Sequence, residues 1–325
     1  MPTKTVEASG SALECPMCGH HDTRKWLQAP DRFHGRKQLY QMVRCSSCSV
    51  VWLDDPPPPD QMAEHYGADY DRMIAAIGDS AIEERWRDPR KLLLQYKSGG
   101  ALLDLGCSSG GFLAAVKSPS WELYGIEISE SVASKARART GAQVYVGDVL
   151  DAPYPSGMFD AITCFHVFEH LYHPRKVLEK VQKWLKPGGI FLTFMPNIDS
   201  AGERIFGSYW YALELPRHLF HFSPVSLRNL ANAVDLEVVS LTTDRQLFIE
   251  ASSHYILDEL AGKLGITRTP MAKASLPGIP FRVARKAFRL TMLPLLTGLA
   301  SMAGDGETIH AVFRKKHPGV PQQGE

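Results

Sequence analysis

The sequence predicts an α/β fold, a seven-stranded sheet with helices on both faces, preceded by a small unit held by cysteines. Three observations carry that prediction. The stretch Ala101-Leu102-Leu103-Asp104-Leu105-Gly106-Cys107-Ser108-Ser109-Gly110-Gly111-Phe112 is a short apolar run, a glycine-rich turn and the start of a helix in direct succession. Further short apolar runs follow, separated by stretches of helical periodicity, which is how parallel strands joined by crossover helices read. Two C-x-x-C pairs, Cys15 with Cys18 and Cys45 with Cys48, precede all of these.

Composition excludes more than it selects. The 325 residues carry 36 Lys and Arg against 35 Asp and Glu, so overall charge indicates no polyanionic partner. Residues 1–14 are polar and small, without the basic-then-apolar run of an export signal, and are expected to be disordered. The six cysteines fall as two pairs plus Cys107 and Cys164, unlike a dense secreted disulfide framework, and a cytoplasmic protein is expected.

The first ordered unit is expected over residues 15–55. Four thiolates on two knuckles can close a tetrahedron round a structural Zn²⁺, and a module of about 40 residues is too small to be stable by core burial alone. His20, His21 and His34 are surplus to four sulfurs and read as surface. Trp26-Leu27 and Gln38 to Val43 read as ribbon strands. The proline run Pro56 to Pro59 is extended and stiff, which makes 56–60 a linker. Residues 61–97 read as helices, with Ile82, Trp86, Leu92, Leu93 and Tyr96 packing on the sheet edge.

The sheet then follows strand by strand. Ala101 to Leu105 reads as a buried parallel strand, and Phe112, Leu113, Ala115 and Val116 begin the helix that packs back on it. Small residues between them let backbone N–H groups approach a polar or anionic ligand at the helix N-terminus. Trp121 to Ser129 holds the second strand, with Glu127 at its C-terminal end, where an acceptor-only carboxylate suits a ribose diol. Ala142 to Val146 is the third and ends in Gly147-Asp148. Phe159 to Phe165 is the fourth and runs into His166-Val167-Phe168-Glu169-His170. These ends form one crevice, where open parallel sheets hold their ligands. Pro174 starts an amphipathic helix through Val177, Leu178, Val181, Trp184 and Leu185. Ile190 to Phe194, Leu236 to Thr242 and Thr308 to Phe313 read as the last three strands, and Ser223 caps a helix containing Leu227, Leu230 and Ala231.

Over residues 98 to 243, with the terminal strand, these motifs resemble the class I S-adenosylmethionine-dependent methyltransferases, in particular the branch that methylates small molecules such as sugars and quinones. The resemblance implies a Rossmann-like seven-stranded methyltransferase sheet in a domain covering 61–243 plus 305–316, with S-adenosylmethionine as cofactor. It implies that Asp104, Gly106 and Gly110 hold the methionine part, Glu127 the ribose hydroxyls, and Asp148 with Val149 the adenine. Ser108, Ile128 and Phe165 complete the implied cofactor set. Ser108 departs from the family, which usually has a glycine there. Lys186-Pro187-Gly188-Gly189 looks like the family's turn into its fifth strand. A segment before the first strand often caps the cofactor in the family, which singles out Tyr66 and Tyr70.

A sulfonium donor already activates its methyl group, so the protein must align the acceptor, exclude water and take a proton from a hydroxyl or carbon acid. No catalytic metal is needed. The loop Met195 to Ser223 mixes aromatics with Arg and His, as a polar ring substrate requires. Its run from His218 to Ser223 resembles a segment of sugar and quinone methyltransferases where a histidine lies near the acceptor. His218 is the first choice for general base and His221 the second. His166, where the fourth strand opens into the crevice, is a further candidate. For each, the competing role is structural hydrogen bonding.

The expected reaction is O-methylation of a small molecule, a sugar or glycoconjugate or lipid-linked saccharide intermediate. The insertion 244–304 is too long for a plain connection. Its Phe281 to Arg289 puts basic residues beside aromatics, and the apolar Leu290 to Ala303 is too short to span a bilayer. Residues 281–303 read either as a lid or homodimer face, or as a peripheral membrane contact; 317–325 form a tail. Two other readings stay open. Six Lys or Arg against two Asp between Cys15 and Leu53 suit a ribbon that grips RNA, making this an RNA methyltransferase. Against it, no aromatic-basic stripe crosses the main domain, and Met195-Pro196-Asn197 does not replace the Asn-Pro-Pro-Tyr loop of amino-group nucleic-acid methyltransferases. The other is a non-catalytic zinc-ribbon protein with a degenerate cofactor fold, suggested by Ser108 and opposed by the acids at 104, 127 and 148.

Overall fold

The computed structural model describes residues 13–66, 79–244, 248–263, 291 and 306–317. Eleven strands are present among them: β1 (Thr23–Pro30), β2 (Leu39–Cys45), β3 (Val51–Leu53), β4 (Gly100–Leu105), β5 (Trp121–Glu127), β6 (Gln143–Val146), β7 (Phe159–Phe165), β8 (Leu185–Pro196), β9 (Phe220–His221), β10 (Leu236–Asp244) and β11 (Thr308–Lys315). The helices used below are α1 (Asp79–Tyr96), α2 (Gly111–Val116), α3 (Glu130–Thr140), α4 (Pro174–Trp184), α5 (Ala201–Phe206), α6 (Pro224–Ala233) and α7 (Ile249–Lys263). The described chain divides into two compact units, one of 79–195, 227–242 and 310–317, the other of 13–66, 196–226, 243–244, 248–263, 291 and 306–309.

The seven-stranded sheet has the order β10-β11-β8-β7-β4-β5-β6. β4 is parallel to both neighbours, with Leu102 opposite Leu123 on β5 and Ala161 on β7. A strand paired on both edges and covered on both faces needs an unbroken apolar run, and Leu102 and Leu103 are fully buried. After β4 the chain adds β5 and β6 on one side, then crosses to add β7 and β8 on the other. That reversal is a topological switch point, and it lies beside the glycine-rich turn.

The helices pack as their periodicity predicts. On α4, Val177, Leu178, Val181 and Trp184 form the buried stripe behind Pro174 at the first turn. On α1, Leu93 is fully buried and Trp86 sets its ring against Phe112 and Phe165, with centroids 5.6 and 5.4 Å away. Phe165 in turn meets Phe112 at 4.6 Å and Phe194 at 5.1 Å, edge to face. Each such pair adds about 0.5–1.5 kcal/mol beyond the area it buries. The side chain of Ile82 lies outside the described residues.

The second unit contains a four-stranded sheet in the order β1-β2-β3-β9. β1 and β2 are the expected ribbon strands, antiparallel, with a register slip between Lys25 and Leu27 that leaves Trp26 as the extra residue. β3 and β9 are additions to the sequence reading. Val51 pairs with His221 and Trp52 with Phe220. An open edge on β3 needs covering, and the 196–226 loop covers it. The boundary expected at 56–60 is therefore corrected: the proline run does not close off a compact unit, because the ribbon's last strand comes from the loop. Tyr70, residues 1–12, 318–325 and, apart from Thr291, 281–303 lie outside the described residues. No helix among the described residues is long and apolar enough to cross a membrane.

Candidate functional site

Beyond β4 the backbone enters the left-handed region three times in five residues: Gly106 at φ +67°, Ser108 at +48° and Gly110 at +77°. A Cβ on Gly106 would stand 2.5 Å from Val167 Cγ2, so conformation and space both demand glycine there. Ser108 makes its turn with a side chain, at a cost of about 1–2 kcal/mol. A hydrogen bond offsets that cost, since its N–H donates to Glu127 Oε2 at 3.1 Å. The Cys107 N–H donates to the Ile126 carbonyl at 3.0 Å and the Gly110 N–H to that of Cys107 at 2.9 Å, closing the turn. The departure at 108 leaves the turn formed.

Glu127 Oε1 accepts the Ser129 N–H at 3.0 Å. Two backbone donors thus fix the carboxylate at the end of β5, and roughly half of its four lone-pair sites remain for hydroxyl donors. Ile128 follows, 78% exposed, a large apolar side chain left in solvent beside a polar anchor. On the neighbouring strand the Gly147 N–H donates to the Glu127 carbonyl at 3.1 Å, which brings Asp148 and Val149 alongside. Asp148 is exposed and caps a short 3₁₀ turn by accepting the Leu150 N–H at 2.7 Å, while Val149 is buried.

Two expected cofactor residues are placed differently. Asp104 is buried, and its Oδ1 accepts the Thr163 hydroxyl at 2.7 Å. Burial pushes its carboxyl up to about 7, the Thr163 bond opposes the rise and the Glu127 charge adds to it. Phe165 is buried, with its ring in the aromatic core cluster.

The histidines separate by access. His166, at φ +54°, donates its N–H to the Phe194 carbonyl at 2.8 Å and keeps a side chain 36% exposed. Its Nδ1 lies 3.7 Å from Oε1 of the buried Glu169. His218 and His221 belong to the other unit and are 5% and 2% exposed. His218 Nδ1 donates to the Ala212 carbonyl at 2.8 Å and its Nε2 lies 3.3 Å from Glu214 Oε2; His221 Nε2 donates to the Leu213 carbonyl at 3.1 Å. Both imidazoles thus have one ring nitrogen committed to a carbonyl of their own loop.

The rest of the loop is built on buried polar anchors. The Arg217 guanidinium lies 4.4 Å over the Phe33 ring, with Glu214 Oε2 3.5 Å from its Nη2. Glu307 Oε2 accepts the Trp210 indole N–H at 3.0 Å and the Phe248 N–H at 3.1 Å, and burial pushes its carboxyl up. Sequence reading missed Glu307, because an acid just before a terminal strand carries no local signal. Tyr66 is half-buried, 5.9 Å from the Arg217 guanidinium.

The four cysteine sulfurs all lie within 4.8 Å of one another, with Cys15–Cys48 and Cys18–Cys45 at 3.6 Å. A tetrahedral ion about 2.3 Å from each sulfur spaces them by about 3.8 Å, whereas a disulfide needs about 2.05 Å. One backbone device closes both knuckles: the Gly19 N–H donates to the Cys15 carbonyl at 2.8 Å, and the Ser49 N–H to that of Cys45 at 3.0 Å. The donor set fits a thiophilic cation. His20 and His21 are exposed as expected, but His34 is half-buried, its Nδ1 2.9 Å from Asp31 Oδ2.

A family model for a methyltransferase domain matches residues 79–241. A demethylmenaquinone methyltransferase of Symbiobacterium thermophilum is 27% identical over 143 residues, covering 41% of this chain and 55% of that protein. A ubiquinone biosynthesis O-methyltransferase of Thiobacillus denitrificans is 29% identical over 170 residues, covering 49% and 72%. Among solved structures, a SAM-dependent methyltransferase from Archaeoglobus fulgidus is 16% identical, covers 73% of this chain and 95% of that one, and has a TM-score of 0.49. The chain spans between 33% and 72% of the length of the first curated relatives it matches.

Proposed function

Because the chain belongs to the methyltransferase-domain family, we propose that it transfers a methyl group from S-adenosylmethionine to oxygen of a small molecule, a sugar or glycoconjugate intermediate. The observation that carries this reading is the turn from Gly106 to Gly110 with Glu127 tied to it by the Ser108 N–H. When bound, the sulfonium supplies an activated methyl group. The chain's own residues do the rest. The turn brings backbone N–H groups to the ligand, Glu127 takes the ribose hydroxyl hydrogens, and Ile128 offers an apolar surface to the base.

His166 is the general base in this reading. It stands at the end of β7, half-exposed, and takes the acceptor hydroxyl proton on Nε2 while Glu169, with Oε1 3.7 Å from Nδ1, balances the imidazolium. The 196–226 loop serves acceptor binding in this reading, and the four cysteines hold a structural Zn²⁺. A second reading, a phenol or quinol acceptor, is favoured by the name of the Thiobacillus relative.

The test incubates the protein with methyl-labelled S-adenosylmethionine and a cell extract, then separates soluble small molecules, lipids, RNA and protein. Label in a soluble or lipid-linked saccharide, lost with Glu127→Ala and with His166→Ala, is the expected result. Label in a quinol supports the second reading. Label in RNA or protein, or none at all, overturns both.

A further inference from the structure

We infer that the four-cysteine centre controls the order of the two ends of the 196–226 loop, so that its metal acts on acceptor binding while leaving donor binding alone. The inference rests on the acceptor-loop reading above. Its structural part is contained in one unit of the protein.

The second knuckle is joined to the loop twice. Cys48 is followed at once by Ser49, at φ +66°, and then by β3, whose outer edge pairs with β9. β9 has only two residues, and a strand that short has no stability away from the sheet that receives it. The Leu53 N–H donates to the Leu219 carbonyl at 2.9 Å, extending that pairing, and the Ile198 N–H donates to the Phe222 carbonyl at 2.9 Å, tying the two loop ends together. The second link leaves from the other side of the knuckle: Arg44, next to Cys45, sets Nη2 2.9 Å from Asp199 Oδ1. Both loop ends, 197–199 and 219–222, therefore hang on residues flanking Cys45 and Cys48.

The middle of the loop is held elsewhere. Trp210 binds Glu307, and the Tyr211 N–H donates to Ser252 Oγ on α7 at 2.9 Å. A small ribbon deprived of its metal leaves four sulfurs crowded within 4.8 Å of one another with little core to hold them. Loss of order should then spread through β3 to β9 and stop before Trp210.

The experiment maps hydrogen exchange on the full-length zinc-loaded protein before and after treatment with a zinc chelator, then after Zn²⁺ is returned. The expected result is exchange about tenfold or more faster at the Leu53 and Ile198 amides, reversed by Zn²⁺, with the Tyr211 and Cys107 amides unchanged. Calorimetry on the same samples should give the same affinity for S-adenosylmethionine. Cys48→Ser should reproduce the chelated pattern, and Asp199→Ala should loosen the Ile198 amide alone. Unchanged Leu53 and Ile198 amides after zinc leaves would overturn the inference, as would equal loss at Tyr211 and Cys107, which means general unfolding. Exchange is read without any acceptor, so this result stands apart from the identity of the substrate. With a known acceptor, chelation should raise KM far more than it lowers kcat.

Discussion

β4 pairs with β5, the next strand along the chain, and with β7, two strands further on, whereas β1, β2 and β3 find their fourth strand at Phe220–His221, far along the sequence. The difference is one of how order is secured. The parallel sheet is assembled from short crossovers and secured by buried apolar surface, with Leu102, Leu103 and Ile162 fully covered. The ribbon must close a long loop before its last strand is gained, and loop closure costs entropy that a small core does not recover. The metal tie proposed for Cys15, Cys18, Cys45 and Cys48 would be the physical remedy for that deficit.

Removing the tie is expected to have the largest effect. The paired change Cys15→Ser with Cys48→Ser should abolish zinc content and split thermal unfolding into two transitions, because the free energy of a structural zinc site is about 10–16 kcal/mol in small peptides. A single unchanged transition would mean that the ribbon is held by packing alone. In the sheet, Leu102→Ala should cost about 2–5 kcal/mol in a urea titration without touching zinc content. If it also released zinc, the two regions would share one stability.

Asp104 gives the sheet a pH dependence of its own. Burial raises its carboxyl from an ordinary 3.8 to about 7, so the folded state holds a proton that the unfolded chain releases. Stability from this group is present in full below about pH 4 and is lost as pH rises through about 7, by at most about 4 kcal/mol. Asp104→Asn stays neutral, so its urea midpoint should gain on that of the wild type between pH 5 and pH 8. A constant difference across that range would remove Asp104 as the cause. The smallest effect is expected for Lys186→Ala. It breaks a partly exposed pair with Asp160 at 2.6 Å and should cost no more than about 1 kcal/mol.

What the sequence revealed follows the same division. The strands of the large sheet were legible because each is an apolar run with its own turn signals, and Glu127 was legible because an acid ending such a strand has few structural reasons to be there. β3 and β9 were not, since strands of three and two residues carry no periodicity and owe their form to each other. The carbonyl contacts of His218 and His221 were hidden for a related reason. A histidine in an aromatic loop reads the same whether it faces a substrate or, as here, the carbonyls of Ala212 and Leu213. Ser108 misled in the other direction: the substitution for glycine looked damaging, but its N–H meets Glu127 and the turn closes.

The central claim is that the crevice built from the 106–110 turn and Glu127 holds the methyl donor. Calorimetric titration of S-adenosylmethionine into the wild type and Glu127→Ala tests it most directly. Saturable binding to the wild type, weakened about 10- to 100-fold in a variant with unchanged melting, is the predicted result, in line with about 1.5–3 kcal/mol for hydrogen bonds to a charged group. Equal affinity in the two proteins, or no binding to the wild type, would contradict it.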